Sequence, residues 1–328
     1  MDANQDARHV IEIRESPGKG LGTFAKTNIP RGTRILAESC LLKIKCDGDE
    51  EPSATAILQA FESLSPSQQK SYLELHTYAC DLDKQILGKQ TGQSWEELPE
   101  IHREVLSIYT ANSFCSIYLL GSRFNHSCLP NTTHSYNPQL DMETFHTIQD
   151  ISAGEELLIT YMDGSNWVRS KRQEYLQKWG FECSCPVCED TPEGRAKEEK
   201  RLIMSLLSDD LEDLLTLDTE ESPEEALKLT QKLAAIQKSE GLVGRELCFS
   251  YYYAAKVNTR LGNARMALLW ADKGLEVDRY CVGEDHPEYT TTLEAFTRLQ
   301  VTLSKVSGFD DQMMKYLSNL GSVSDSLA

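Results

Sequence analysis

Cys183-x-Cys185-x-x-Cys188 places three sulfur ligands within six residues, close enough in the chain to reach one metal ion. Tetrahedral zinc asks for each thiolate at about 2.3 Å, a demand that tight, cysteine-bearing turns meet. Three ligands leave one position, which water fills in a catalytic site and a fourth cysteine fills in a structural one. Spacing leaves Cys128, Cys40, Cys46 and Cys80 open for that place. The scattered Cys40, Cys46, Cys80, Cys115, Cys248 and Cys281 often stand beside apolar residues and read as buried structural thiols.

A second group is polar. Asn125-His126-Ser127-Cys128-Leu129-Pro130-Asn131 has the residue types of a folded polar site beside a cysteine. Gly154-Glu155-Glu156-Leu157-Leu158-Ile159-Thr160-Tyr161 is a turn leading into an apolar run that ends on a tyrosine. Near the start, Ser16-Pro17-Gly18-Lys19-Gly20-Leu21-Gly22 lets backbone approach a ligand closely. It lacks the Gly-Lys-Ser/Thr ending of a phosphate-binding loop and the following helix of a dinucleotide fingerprint. The histidines at 9, 76, 102, 134, 146 and 286 have no metal-like or triad spacing and read as surface or structural residues.

The elements that must position these groups follow from periodicity. Residues 10–44 alternate short apolar segments with Pro and Gly turns, the pattern of short strands. Residues 46–52 form an acidic break, after which 54–64, 68–78 and 101–109 carry apolar residues at helical spacing. Strand character returns at 114–120, 144–148 and 157–161. Beyond Cys188 helices are expected at 195–207, 223–239, 246–261, 264–277 and 287–303. There the Ala254-Ala255, Leu261-Gly262, Ala267, Trp270-Ala271 and Leu275 pattern is that of a tetratricopeptide helix pair.

The 328 residues, 40% of them hydrophobic, suit two domains with real cores. No apolar run approaches the roughly 20 residues that span a bilayer, and the first ten residues have no signal-peptide core, so an intracellular, soluble protein is expected. The net charge is −18, which disfavours nucleic-acid binding through a broad basic surface and suits a basic substrate. Residues 189–225 alone contain fourteen acidic and four basic side chains. They read as a solvated acidic linker and helix faces, with attraction of a Lys-rich peptide as the sharper alternative.

In order, Gly18-Lys19-Gly20-Leu21, Asn112-Ser113-Phe114, Asn125-His126-Ser127-Cys128 with Pro130-Asn131, Gly154-Glu155-Glu156-Leu157 to Tyr161, and Phe181-x-Cys-x-Cys-x-x-Cys resemble the SET-domain lysine methyltransferases. The similarity is greatest to the SET and MYND (SMYD) branch and its fungal relatives. It covers residues 8–190 and, more loosely, the helical remainder. The resemblance implies an α+β fold: a knotted, β-rich SET domain split into 8–45 and 111–163 by a helical insertion at 46–110. A zinc-bound post-SET segment would follow at 164–190, then an all-α tetratricopeptide-like domain at 191–328.

By the same resemblance, Lys19, Gly20, Leu21, Asn112, Asn125 and His126 would bind S-adenosylmethionine. Tyr161 and Phe181 would line and close a lysine channel next to that cofactor, and Cys128 would complete a structural zinc site with Cys183, Cys185 and Cys188. The implied activity is methylation of a lysine on a histone or another Lys-rich protein, by a monomer working in nucleus, cytoplasm or both. The alternatives are a degenerate SET protein that acts as a cofactor- or peptide-binding scaffold, and a SET-fold enzyme acting on a small molecule. Two departures stand out. Residues 46–110 hold only Cys46 and Cys80, too few for a MYND finger, and Trp179 stands where the branch often has tyrosine.

Overall fold

The computed structural model describes residues 6–44, 52–114, 116–162, 164, 166–216 and 223–304. The chain opens with an antiparallel hairpin of β1 (Ile11–Ser16) and β2 (Gly20–Ala25), in register from Ile11 opposite Ala25 to Ser16 opposite Gly20. Its three-residue turn is tight enough that Gly18 and Gly20 both take φ +74°, a region that side chains disfavour. β3 (Arg34–Glu38) and β4 (Leu42–Lys43) complete the first β segment.

Four helices follow, α1 (Ala54–Glu62), α2 (Pro66–Leu73), α3 (Asp81–Thr91) and α4 (Glu100–Asn112). Their starts are coded locally: Ser53 caps α1, and Ser65 with Gln68 makes a capping box behind Pro66 of α2. Ile57, Phe61, Tyr72, Leu106 and Ile108 pack together with Leu42 and Ile117, so the insertion shares a core with the sheet residues on either side of it. The helix expected at 68–78 is shorter and begins earlier, because Pro66 fixes its first turn and the cap on Ser65 precedes it. α3 was not expected. Its few apolar residues include Leu82 and Ile86, which are exposed, so the apolar face that would reveal it is weak.

The second β segment comprises β5 (Ser116–Ile117), β6 (Asn125–His126), β7 (Thr132–Asn137), β8 (Met142–Thr147) and β9 (Leu158–Ile159). β3, β8 and β7 form an antiparallel sheet in that order, β4 pairs with β5, and β6 pairs in parallel with β9. Ile35, Leu36, Phe124, Phe145, Leu157 and Ile159 are buried together beneath them. The apolar runs at 114–120 and 157–161 thus yield only two-residue strands. β7, of sequence Thr-Thr-His-Ser-Tyr-Asn, lacks apolar alternation and is a strand because β8 pairs along its whole length.

After α5 (Arg169–Leu176), the helices α6 (Pro192–Thr216), α7 (Pro223–Ser239), α8 (Arg245–Arg260), α9 (Ala264–Val282) and α10 (Pro287–Ser304) stack in sequence, and α9 lies against β7 and β8. α6 and α9 outrun the expected helices. Ile148 is buried among Leu247, Cys248, Val277 and Cys281, which joins the helices to the sheet. Arg34 forms an ion pair with Asp285, and His286 Nε2 lies 3.0 Å from the Tyr136 carbonyl across the same seam. Among the described residues, no helix is long and apolar enough to cross a membrane. Cys46 and Cys115 lie outside the described residues.

Candidate active site and metal centre

The parallel pairing of β6 with β9 places Asn125 opposite Leu158 and His126 opposite Ile159. Successive strand residues face opposite sides, so these two side chains part company. Asn125 Nδ2 donates to the Leu21 carbonyl at 3.2 Å and to Glu156 Oε1 at 2.8 Å. The other oxygen of Glu156 holds Lys19 Nζ at 3.4 Å. A Cβ on Gly22 would stand 2.5 Å from Glu156 Oε1 and 2.8 Å from Asn125 Nδ2, so the absence of a side chain there lets the hairpin close over the pair. Lys19, Leu21, Asn125 and Glu156 thus form one polar cradle, with Gly20 at its rim. Glu156 is the member that sequence reading left out. Its signal was the acidic pair after Gly154.

His126, by contrast, is buried. Its Nδ1 accepts the Tyr161 backbone N–H at 3.0 Å, which fixes the proton on Nε2, 3.4 Å from Cys128 Sγ. Burial holds the imidazole well below its ordinary range, at about 4, so it is neutral at physiological pH. With both nitrogens engaged inside the protein, a polar ligand contact from His126 must come through its main chain.

The Tyr161 hydroxyl donates to the Phe124 carbonyl at 2.8 Å, and burial pushes its pKa up, so it stays a phenol. Its ring lies 5.2 Å from Trp179, 5.3 Å from His126 and 6.3 Å from Phe181, centroid to centroid. Phe181 also approaches His126, at 5.9 Å. Tyr161 lines a cavity of about 820 Å³ whose walls include Asn112, Phe114, His134, Tyr175 and Trp179. Asn112 is committed within that wall: its amide donates to the carbonyls of His76 and Ile108, both at 2.7 Å. The structure therefore brings Asn125 to the hairpin tip and Phe181 to Tyr161, and puts Asn112 on the cavity side with Tyr161.

Cys128, Cys183, Cys185 and Cys188 have their sulfurs within 4.8 Å of one another, with Cys128 Sγ at 3.8 Å from Cys183 and 3.5 Å from Cys188. Four sulfurs at about 2.3 Å from a central zinc would be about 3.8 Å apart, so the set fits a tetrahedral tetrathiolate. Cys40 and Cys80 lie outside this cluster. Two fully buried guanidiniums flank it, with Arg172 Nη2 donating to Cys188 Sγ at 3.4 Å and Arg201 Nη2 to the Cys128 carbonyl at 3.1 Å. Neither arginine was singled out from sequence, where a basic side chain within a polar helix reads as surface.

The family model for the SET domain matches residues 20–162, the stretch that carries Leu21, Asn125, Glu156, Tyr161 and part of the cavity wall. Residues 20–162 are a SET domain. Relatives extend the likeness beyond it. The chain is 29% identical over 282 residues to the histone-lysine N-methyltransferase set5 of Schizosaccharomyces pombe, covering 85% of this chain and 81% of that one. It is 30% identical over 162 residues to the protein-lysine N-trimethyltransferase SMYD5 of Gallus gallus, covering 44% of this chain and 37% of that one. A SET5 histone-lysine N-methyltransferase of Meyerozyma guilliermondii is 37% identical over 103 residues, covering 30% and 20%. At 85% of this chain, the fission-yeast likeness takes in most of the residues outside 20–162 as well.

Proposed function

We propose that the chain is an S-adenosylmethionine-dependent protein-lysine N-methyltransferase. The observation that supports this reading is the β6–β9 pairing, with Asn125 of β6 in the polar cradle and Tyr161, two residues past β9, on the cavity wall. In this reading the cradle of Lys19, Gly20, Leu21 and Asn125, with the main chain of His126, holds the cofactor. Asn112 contributes from the cavity wall, and the substrate lysine enters past Trp179. Bound in the cradle, S-adenosylmethionine supplies an electrophilic methyl group on a sulfonium.

The remaining work falls to the chain. A lysine amine must be neutral to attack, and at pH 7.4 deprotonation from about 10.4 costs on the order of 4 kcal/mol. A desolvated aromatic channel lowers that figure by disfavouring the ammonium. Tyr161, a neutral phenol already donating to Phe124, orients the amine through its remaining lone pair, while Phe181 and Trp179 exclude water. Neutral, doubly engaged His126 is not a base here.

The metal centre is read as structural zinc on Cys128, Cys183, Cys185 and Cys188. Its place is to hold Phe181, two residues before Cys183, against Tyr161. The domain plan follows: a knotted SET domain split as 8–45 and 111–163, a helical insertion at 46–110, a zinc segment at 164–190 and a tetratricopeptide-like helical domain at 191–328. Substrates would be histones or other Lys-rich proteins, met by a monomer in nucleus or cytoplasm.

The test is label transfer from radiolabelled S-adenosylmethionine to histones, ribosomal proteins and cell extract. Wild-type protein should transfer label. Tyr161→Phe should lose about 10²-fold in rate through misalignment while binding cofactor normally. Cofactor binding without any label transfer would replace this reading with a peptide-binding scaffold, and label on a small molecule alone would point to the other alternative.

A further inference from the structure

The cavity that Tyr161 lines has a volume of about 820 Å³, enough for a drug-sized ligand and so for more than one side chain. Thr132 to Tyr136 of β7 form part of its wall. Asn131, just before that strand, is bonded to Leu158 close to Tyr161, and at about 3.3 Å per residue His134 stands about 10 Å further along. That second end holds a carboxylate. Glu143 of β8 lines the cavity, yet its side chain is only 4% exposed. Its Oε1 lies 2.7 Å from His134 Nδ1, and its Oε2 makes no hydrogen bond among the described residues.

Buried carboxylates are ordinarily matched by a cation or by several donors. Glu38 has the donors: directly opposite Glu143 across the β3–β8 pairing, it accepts the N–H groups of Leu120 and Gly121 at 2.9–3.1 Å. Opposite side chains share a face, so Glu38 adds negative charge beside Glu143, which Arg8 offsets in part. Tyr118 on the cavity wall registers the field, since burial first and Glu143 second push its phenol pKa up. The cations of the wall are engaged elsewhere, Lys43 with Asp141 and Arg245 with Asp278, both at 2.7 Å, while Lys178 stands over the Tyr175 and Trp179 rings. Glu246, the other acidic residue of the wall, acts on Arg201. We propose that Glu143 is a specificity-determining residue: with the aromatic walls of Phe114, Tyr118 and Tyr136 it takes an arginine of the substrate peptide, about three residues from the lysine that enters at Tyr161. Arginine suits this end better than lysine because a planar guanidinium both stacks on aromatic faces and donates to a carboxylate. The inference rests on the methyltransferase reading above and narrows its substrate from any Lys-rich protein to one with an arginine in a fixed place.

The experiment reads peptide binding apart from catalysis. Fluorescent peptides carry a single lysine in a Gly/Ser background, with one arginine stepped through the positions on either side of it. Anisotropy is measured on the wild type and on Glu143→Gln with S-adenosylhomocysteine present, and methyl transfer to the same peptides is followed separately. A hydrogen bond to a charged group is worth about 10–100-fold in affinity. Arginine about three residues from the lysine should tighten wild-type binding by about that factor, and Glu143→Gln should abolish the gain. In transfer the gain should appear in KM rather than kcat. Methyl transfer with no arginine preference at any position, or with a preference that survives in Glu143→Gln, overturns the inference and leaves the methyltransferase reading intact. Arginine-dependent binding without transfer to any peptide or protein does the reverse.

Should Glu143→Gln not fold, citrulline in place of the arginine decides the matter on the wild type. Citrulline keeps the shape of arginine and loses its charge, so it should bind no better than the arginine-free peptide. Equal binding of the arginine and citrulline peptides refutes the subsite.

Discussion

Replacing Asn131 by alanine removes the side chain that clamps the two passing segments of the SET domain. Its Nδ2 donates to the Glu156 carbonyl at 2.8 Å and to Glu155 Oε1 at 3.1 Å. Its Oδ1 accepts the Leu158 N–H at 2.8 Å and the Thr132 hydroxyl at 3.2 Å. Asn131 is 4% exposed, and Thr132 beneath it is 1% exposed, so the truncated site is shielded from water. Two backbone groups, the Glu156 C=O and the Leu158 N–H, would lose these partners at about 1–3 kcal/mol each. The expected loss is about 2–6 kcal/mol, a large part of the roughly 5–15 kcal/mol that stabilises a typical domain. Thr132→Val removes one donor to the same oxygen and keeps the shape, so it should cost about 1 kcal/mol. Urea unfolding should be followed together with hydrogen exchange in β7 and β8, because a chain of this size need not unfold in one step. If Asn131→Ala loses under about 1 kcal/mol, or no more than Thr132→Val, the clamp is not what holds β6 beside β9.

Gly22→Ala should drive its new methyl into Glu156 and Asn125 and weaken S-adenosylmethionine binding about tenfold, the worth of one hydrogen bond, with little change in far-UV circular dichroism. Calorimetric titration checks it, and unaltered affinity would remove Asn125 from the cofactor site. His146 is 1% exposed, and burial lowers its pKa from 6.5 to about 3, with Arg34 and His286 adding to the shift. The unfolded chain therefore takes up a proton that the native state refuses. Stability is full above about pH 6.5 and falls as the solution is acidified toward pH 3, by about 1.4 kcal/mol per unit. Between pH 6.5 and 5, His146→Gln should lose about 2 kcal/mol less than wild type in urea unfolding, and parallel losses would show that His146 is protonated in the fold.

Motifs whose function lies in a few adjacent residues were legible in the sequence. The hairpin glycines, the polar heptapeptide, the Gly154 turn and the cysteine trio all survive as local features, because each satisfies its own geometry within a handful of residues. What escaped depends on distant partners. Cys128 lies 55 residues before Cys183, and spacing could not choose it over Cys40, Cys46 or Cys80; a family resemblance chose it. β7 is invisible to apolar alternation because its polar residues are buried by pairing, with Thr132 and Asn137 almost wholly inside. Glu156 reads as half of an acidic turn until Lys19 and Asn125 are seen at its two oxygens. Arg172 and Arg201 are the extreme instance, since basic residues on polar helices are expected in water and these are buried against sulfur and carbonyl oxygen.

Strand alternation explains why the heptapeptide must be continuous. Asn125 and His126 are neighbours on a two-residue strand, so their side chains diverge, one to the hairpin and Glu156, the other to Tyr161 and the cysteines. Cys128 comes two residues after His126, near enough for its sulfur to stand 3.4 Å from Nε2. Asn131 then turns back to fasten the strand carrying Leu158, three residues before Tyr161. An inserted residue between His126 and Cys128 would swing the sulfur to the Asn125 side, separating the metal cluster from the imidazole. The neutral imidazole matters for the same reason. With Nδ1 fixed on the Tyr161 N–H, its single proton points to the sulfur, so the residue that sets the backbone of Tyr161 also donates to a ligand of the proposed zinc. The cysteine cluster, Tyr161 and the cradle thus each take a contact from these seven residues of chain.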